Sequence, residues 1–185
     1  ARNRLKDVKG GRLVECYTID SFAGRLNQLV RENTGLKFQT NTYEENMIAA
    51  AKFVKGEADK DSRKCVQGFI DRTIDLLIID EAQDINNFRF DFIRSVLGRL
   101  NEAARVIVFG DPLQEIYSFQ EQTSIEGTLL KYLLEEKTHF KFKKHELKIN
   151  HRIKNTSLLK TYSYARKNYE DKSISISKKN KNLKI

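Results

Sequence analysis

Two short acidic clusters hold the residues of this sequence best suited to chemistry. The first, Asp80-Glu81-Ala82-Gln83-Asp84, directly follows the apolar run Leu76-Leu77-Ile78-Ile79. The second, Gly110-Asp111-Pro112-Leu113-Gln114, directly follows Val106-Ile107-Val108-Phe109. A carboxylate at a strand end suits Mg²⁺, a hard cation that takes few protein oxygens and completes its shell with phosphate oxygens and water. A second, adjacent carboxylate can orient or deprotonate a water that attacks phosphorus. A lone acidic pair reads equally well as the cap of a following helix. Two clusters placed alike, each at the end of an apolar run, are more specific than one.

The elements around them explain that placement. A continuous apolar run ending in polar residues fits a strand buried on both faces of a parallel sheet. Phe88, Phe92, Ile93, Val96, Leu97 and Leu100 mark one face of a helix between the two runs. Strand, helix and strand within about thirty-five residues form a βαβ unit with a right-handed crossover. Ligands of such sheets bind outside the carboxyl ends of the strands, so both clusters face one crevice. Upstream, Arg12 to Thr18 alternates like a strand after the turn Lys9-Gly10-Gly11. Asp20 or Ser21 can cap a helix carrying Phe22, Leu26, Leu29 and Val30, which Gly35 ends. Tyr43–Val54 and Ser62–Thr73 read as short amphipathic helices joined by a polar loop. Downstream come a helix near Ile125–Glu135, a basic strand at Phe140–Ile149, a helix over Thr156–Asn168 and a polar, low-complexity tail. The tail carries alternating Ile174 and Ile176 and a strand-like end at Ile185. There is no internal repeat.

Composition bounds the class. At 185 residues the chain is one domain, or one and a fraction. With 39% hydrophobic and 32% charged residues it can still bury a core. Eleven Phe and seven Tyr argue against wholesale disorder. No run of ~18 apolar residues suggests a membrane span. Cys16 and Cys65 are too few for a disulfide scaffold or a four-cysteine zinc site, and read as buried thiols in a reducing, cytoplasmic setting. The net charge of +9 is uneven: residues 1–135 sum to −2 and residues 136–185 to +11. That asymmetry suggests a polyanionic partner, with a solvated lysine-rich tail as the plainer alternative.

Taken in order, LLIIDEAQD, VIVFGDPLQEIYSF and LKINHR resemble motifs II (Walker B), III and IV of the UvrD/Rep-like superfamily 1 DNA helicases. The segment Tyr17-Thr18-Ile19-Asp20-Ser21-Phe22 is similar to the family's T-[FI]-H-S-F stretch, which contacts single-stranded DNA. The resemblance covers most of residues 12–160. It implies an α/β, RecA-like (P-loop NTPase) parallel sheet flanked by helices, with a small helical insertion. Residues 1–35 then belong to domain 1A and 36–73 to a 1B-like insertion. Residues 74–140 hold the rest of 1A with motifs II and III, and 141–185 the start of a second RecA-like domain, 2A, with motif IV.

Roles follow by position. Asp80 binds Mg²⁺, with Glu81 beside it both as a metal-site residue and as the residue that activates water. Gln83, Asp84 and Asp111 line the nucleotide site with Asp80, and Gln83 and Asp84 help couple it to a neighbouring subdomain. Gln114 senses the γ-phosphate. Arg152 acts as an arginine finger, its planar and permanently charged fork suiting phosphate oxygens. His151 stands where the family has a tyrosine near adenine. Thr18, Ser21, Phe22, Tyr117 and Phe119 contact DNA, Phe119 by stacking on a base, which contributes about 1–3 kcal/mol. ATP and Mg²⁺ are the implied cofactors. The implied partners are single-stranded or partial duplex DNA and the rest of the helicase chain, with no membrane.

Some positions depart from the pattern. Asp20 replaces a histidine, His151 a tyrosine, and Gln120 an arginine. No glycine is followed by lysine, so the sequence lacks the G-x-x-x-x-G-K-[ST] phosphate loop. The expectation is an excised middle of a helicase whose loop lies a few dozen residues before Ala1. Such a fragment should hydrolyse little or no ATP alone, within a parent acting in DNA repair, replication or recombination. A different class of reading is a catalytically inactive nucleic-acid-binding module derived from a helicase; a P-loop protein acting on RNA is a third. His139 and His145 lack metal-ligand spacing and read as structural or exposed, and Met47 and Phe53 as core.

Overall fold

In the computed structural model, residues 14–85, 87–111, 129–134, 138–147 and 154–170 are described. The observed order is α1 (Ile19–Thr34), α2 (Tyr43–Lys55), α3 (Lys60–Thr73), β1 (Leu76–Ile79), a 3-10 turn (Ala82–Asp84), α4 (Asn87–Leu97), β2 (Arg105–Val108), α5 (Leu129–Leu134) and α6 (Thr156–Glu170). The chain divides into two compact units, residues 1–142 and 143–185.

In the first unit, each of the first three helices begins at a residue whose side chain satisfies an orphan backbone N–H. Thr18 Oγ1 accepts from Ser21 N at 3.1 Å. Thr42 and Glu45 form a reciprocal capping box. Asp59 accepts from Ser62 N at 2.7 Å, and the Ser62 hydroxyl and amide hold its carboxyl below the usual range. Gly35 (φ 67) and Gly56 (φ 78) end α1 and α2 in the left-handed region, which costs glycine nothing.

The helices bury one stripe each. Leu26 and Val30 of α1, Met47 and Phe53 of α2, Val66 and Ile70 of α3, and Phe90 and Phe92 of α4 share one core. Removing such side chains from water stabilises by about 1.5–3 kcal/mol each. Polar pins fix how the helices meet. Asn27 Nδ2 donates to Asn46 O and Oδ1 at 2.8 and 2.7 Å. Arg99 Nε donates to Val54 O at 2.8 Å, and its guanidinium also donates to Lys55 O, satisfying the last carbonyls of α2. Lys55 Nζ meets Asp91 Oδ2 at 2.7 Å.

The sheet is parallel and two-stranded among the described residues, with Leu77 opposite Val106 and Ile79 opposite Val108. The fold is thus a helix-rich α/β fold. The strands are not buried on both faces, as the apolar runs suggested. Leu77, Ile79, Val106 and Val108 rest on the helical core. Leu76, Ile78, Ile107 and Phe109 remain 43–52% exposed. Only one helical layer covers the sheet among the described residues, so a continuous apolar run is half covered. Leu129 of α5 donates its amide to Ile85 O at 3.0 Å, and Tyr132 meets Phe90 edge-on, so α5 closes over the turn after β1.

Two further expectations change. Residues 14–18 form no strand, having no ladder partner among the described residues, and the segment ends by capping α1. Residues 140–147 form no strand either: Phe140 and Phe142 rest on the core, and the charged residues between and after them stay exposed. Cys16 and Cys65 are free and half-buried rather than buried, and partial burial pushes the Cys65 thiol up. Residues 9–11, 125–128 and 171–185 lie outside the described residues.

In the second unit, Asn155 Oδ1 accepts from Ser157 N and Leu158 N at 3.0 and 3.1 Å and starts α6 as a cap.

Candidate active site at the strand ends

The hydrogen bonding between β1 and β2 does not stop at the last strand residue. Phe109 N donates to Ile79 O at 2.8 Å, and Ala82 N donates to Phe109 O at 2.9 Å. This carries the chain straight from β1 into the 3-10 turn and brings the two acidic clusters side by side. Glu81 sits between, with φ 52 and ψ 45. A non-glycine residue in that left-handed region is uncommon and strained, and such strain gathers at functional sites.

The side chains there are connected in a line. Asp80 Oδ1 accepts from Glu81 N at 3.0 Å. Gln83 Nε2 donates to Glu81 Oε2 at 2.7 Å. Gln83 Oε1 accepts from Asp111 N at 2.9 Å. Asp80 and Glu81 are exposed, whereas Gln83 is only 2% exposed. Asp84 N donates to Glu81 O at 3.0 Å, and Asp84 Oδ1 is buried with no hydrogen-bond partner. Gly110 lies so close that a Cβ there would come 3.0 Å from Gln83 Oε1 and 3.4 Å from Ala82. Asp80, Glu81, Gln83, Asp84 and Asp111 are therefore brought together. Gln114, Tyr117, Phe119, His151 and Arg152 lie outside the described residues.

This donor set fits Mg²⁺ rather than a metal held wholly by protein. Asp80 and Glu81 present hard carboxylate oxygens to solvent. Among the described residues, no three His, Cys, Asp or Glu side chains gather as a complete cage. Mg²⁺ bound beside a nucleotide needs only one or two carboxylates, because phosphate and water fill the remaining positions.

The second candidate region is the start of α1, and its polar groups are engaged within the protein. Thr18 Oγ1 is the helix cap, and Ser21 Oγ donates back to Thr18 O at 2.9 Å. Phe22 is half-buried between Tyr17 and Phe92, with ring centroids 5.7 and 5.8 Å away. Asp20 does not cap the helix. It lies in the first turn, where Arg89 Nε and Nη2 each approach it at 3.3 Å. The Arg89 guanidinium also lies over the Tyr43 ring at 5.1 Å. Burial, with help from the hydrogen bond to Asp20, pushes the Tyr43 hydroxyl up to about 12. The Asp20 carboxylate in turn raises Arg89 further above its ordinary value.

Sequence reasoning missed this Asp20–Arg89–Tyr43 group, whose members lie on three helices and carry no motif. It also missed the close approach at Gly110, for which the glycine between a strand and an aspartate is the available signal. His139 and His145 are exposed, and the His139 ring packs tilted against Phe140 with centroids 4.2 Å apart. No helix among the described residues is long and apolar enough to cross a membrane.

Residues 19–129 match the UvrD/REP helicase N-terminal domain family. Over 135 residues the chain is 31% identical to a protein of Acanthamoeba polyphaga mimivirus named "Putative ATP-dependent DNA helicase". The match covers 73% of this chain and 16% of that protein. No solved structure matches the chain.

Proposed function

The chain belongs to the UvrD/REP helicase N-terminal domain family, and from that premise we propose that it is the Walker B-bearing part of an ATP-dependent DNA helicase that moves on single-stranded DNA. The observation that carries this reading is the junction of the two parallel strand ends. There the exposed Asp80 and Glu81 stand beside Asp111, with Gln83 hydrogen-bonded between them. RecA-like architecture and the division into 1A, 1B-like and 2A parts belong to the same reading. The half-covered parallel sheet is compatible with it.

Asp80 would hold Mg²⁺, with Glu81 adjacent. Once bound, the ion would supply positive charge that offsets the charge on the phosphate oxygens. Glu81 accepts the proton of the attacking water as its oxygen bonds to the γ-phosphorus and the bond to ADP breaks. Asp84 and Asp111 border the nucleotide, and the family motifs assign γ-phosphate sensing to Gln114, the adenine side to His151 and the arginine-finger role to Arg152. Thr18, Ser21, Phe22, Tyr117 and Phe119 line the DNA path. A cytoplasmic protein acting in repair, replication or recombination is the corresponding setting.

The test is ATP hydrolysis by the full-length protein with and without single-stranded DNA. We expect stimulation by DNA. Hydrolysis that ignores DNA, or none at all, removes the reading. A second reading, a nucleic-acid-binding module without catalysis, draws on the +11 balance of residues 136–185. It predicts DNA binding independent of ATP, with log K falling steeply against log salt.

A further inference from the structure

The buried amide of Gln83 is built unlike a nucleotide contact. It is 2% exposed, and both of its polar atoms are engaged within the protein. One end donates to Glu81 and the other accepts from the backbone of Asp111, on the neighbouring strand end. We infer that Gln83 is a positioning residue, a strut that sets the Glu81 carboxylate by the position of the Gly110–Asp111 backbone. This deepens the proposed function and rests on the assignment of Glu81 as the residue that activates water.

Three observations support the strut. Glu81 has a strained backbone and an exposed side chain, so its carboxylate needs an outside hold to keep one geometry. Gln83 supplies that hold at 2.7 Å, from a 3-10 turn whose own amide is fastened to Phe109 O. Finally, Gly110 leaves just enough room: a Cβ there would press on Gln83 Oε1 at 3.0 Å. The side chain is thus gripped from the β2 side and delivers that position to Glu81. A shift of the segment after β2 would reach the base through the Gln83 amide. Outer partners of this kind commonly cost ~10–100-fold in activity when removed.

The experiment uses the full-length protein and three variants. Gln83→Met keeps the volume and removes both hydrogen bonds. Gln83→Glu keeps an acceptor for Asp111 N but loses the donor to Glu81. Gly110→Ala leaves Gln83 in place and crowds it from the other side. We expect all three to lower kcat for ATP by roughly 10–100-fold with KM for ATP within about twofold. We also expect faster hydrogen exchange at the Asp111 amide in Gln83→Met but not in Gln83→Glu. A raised KM at unchanged kcat would make Gln83 a nucleotide contact and overturn the inference. So would full activity in Gln83→Met, or unchanged Asp111 exchange in that variant. An inactive wild-type protein removes the helicase reading, and the inference with it. An active wild type with a fully active Gln83→Met removes the inference alone.

Discussion

The start of α1 and the carboxyl end of the sheet are both rich in polar side chains, but they dispose of them differently. At the start of α1, the Thr18 and Ser21 hydroxyls close the helix end and the Asp20 carboxylate is matched by Arg89. At the sheet end, Asp80 and Glu81 each engage one carboxylate oxygen, and a buried amide braces Glu81. The first arrangement satisfies the protein. The second leaves carboxylate oxygens turned to solvent, the disposition that the proposed Mg²⁺ would need. Residue type alone does not separate these two uses; the partners do.

The largest expected effect that would break this contrast lies at the sheet end. Glu81→Gln in the full-length protein should lower steady-state phosphate release by about 10²–10⁴-fold, the usual contribution of a positioned base. Equilibrium nucleotide binding should persist in that variant. Normal turnover would place Glu81 with the structural residues instead. Next comes Thr18→Ala, which should cost about 1 kcal/mol in urea unfolding as the cap of α1 is lost. Thr18→Asn should restore the cap to within a few tenths, since Asn caps as well as Thr. Single-stranded DNA affinity measured on Thr18→Asn then tests whether the hydroxyl contacts DNA, free of the stability loss.

Arg89→Ala should be smaller still. The pair with Asp20 is 42% and 36% exposed, so its contribution is about 0.2–1 kcal/mol and shrinks as salt is raised. The subtlest effect is one of pH. Tyr43 ionises near 10 when unfolded and about 12 when folded. Its neutral form is therefore favoured by the fold. The associated stability is intact below pH 10 and is lost as pH rises from 10 toward 12. Ultraviolet titration should show a late tyrosinate that is absent in Tyr43→Phe, and the Phe variant should lose less stability over that interval.

The helices were the most legible part of the sequence, because their signals are local. Gly35 as the stop of α1, and the three- and four-residue spacing of Phe22, Leu26, Leu29 and Val30, each act within one or two turns. The sheet was half legible. Parallel pairing at Leu76–Ile79 and Arg105–Val108 is present, but burial of both faces depends on layers that a strand's own residues do not encode. The alternating segments at 14–18 and 140–147 misled for the same reason: a strand needs a partner, and alternation alone supplies none. At the strand ends, Asp80 and Glu81 announced themselves by position. The bond from Gln83 to Asp111 N spans 28 residues and the Asp20–Arg89 pair spans 69, distances over which single-sequence patterns carry no signal.

The row formed by Leu76, Ile78, Ile107 and Phe109 also governs how the isolated chain behaves in a tube. Contiguous apolar surface of this kind drives copies together, while a net charge of +9 drives them apart. Salt shortens the reach of the repulsion and leaves the attraction in place. Self-association of the 185-residue chain should therefore rise with ionic strength, the opposite of what charge-mediated clustering would give. Light scattering across a salt series would show it, and Ile78→Lys, which interrupts the row and adds charge, should flatten the trend.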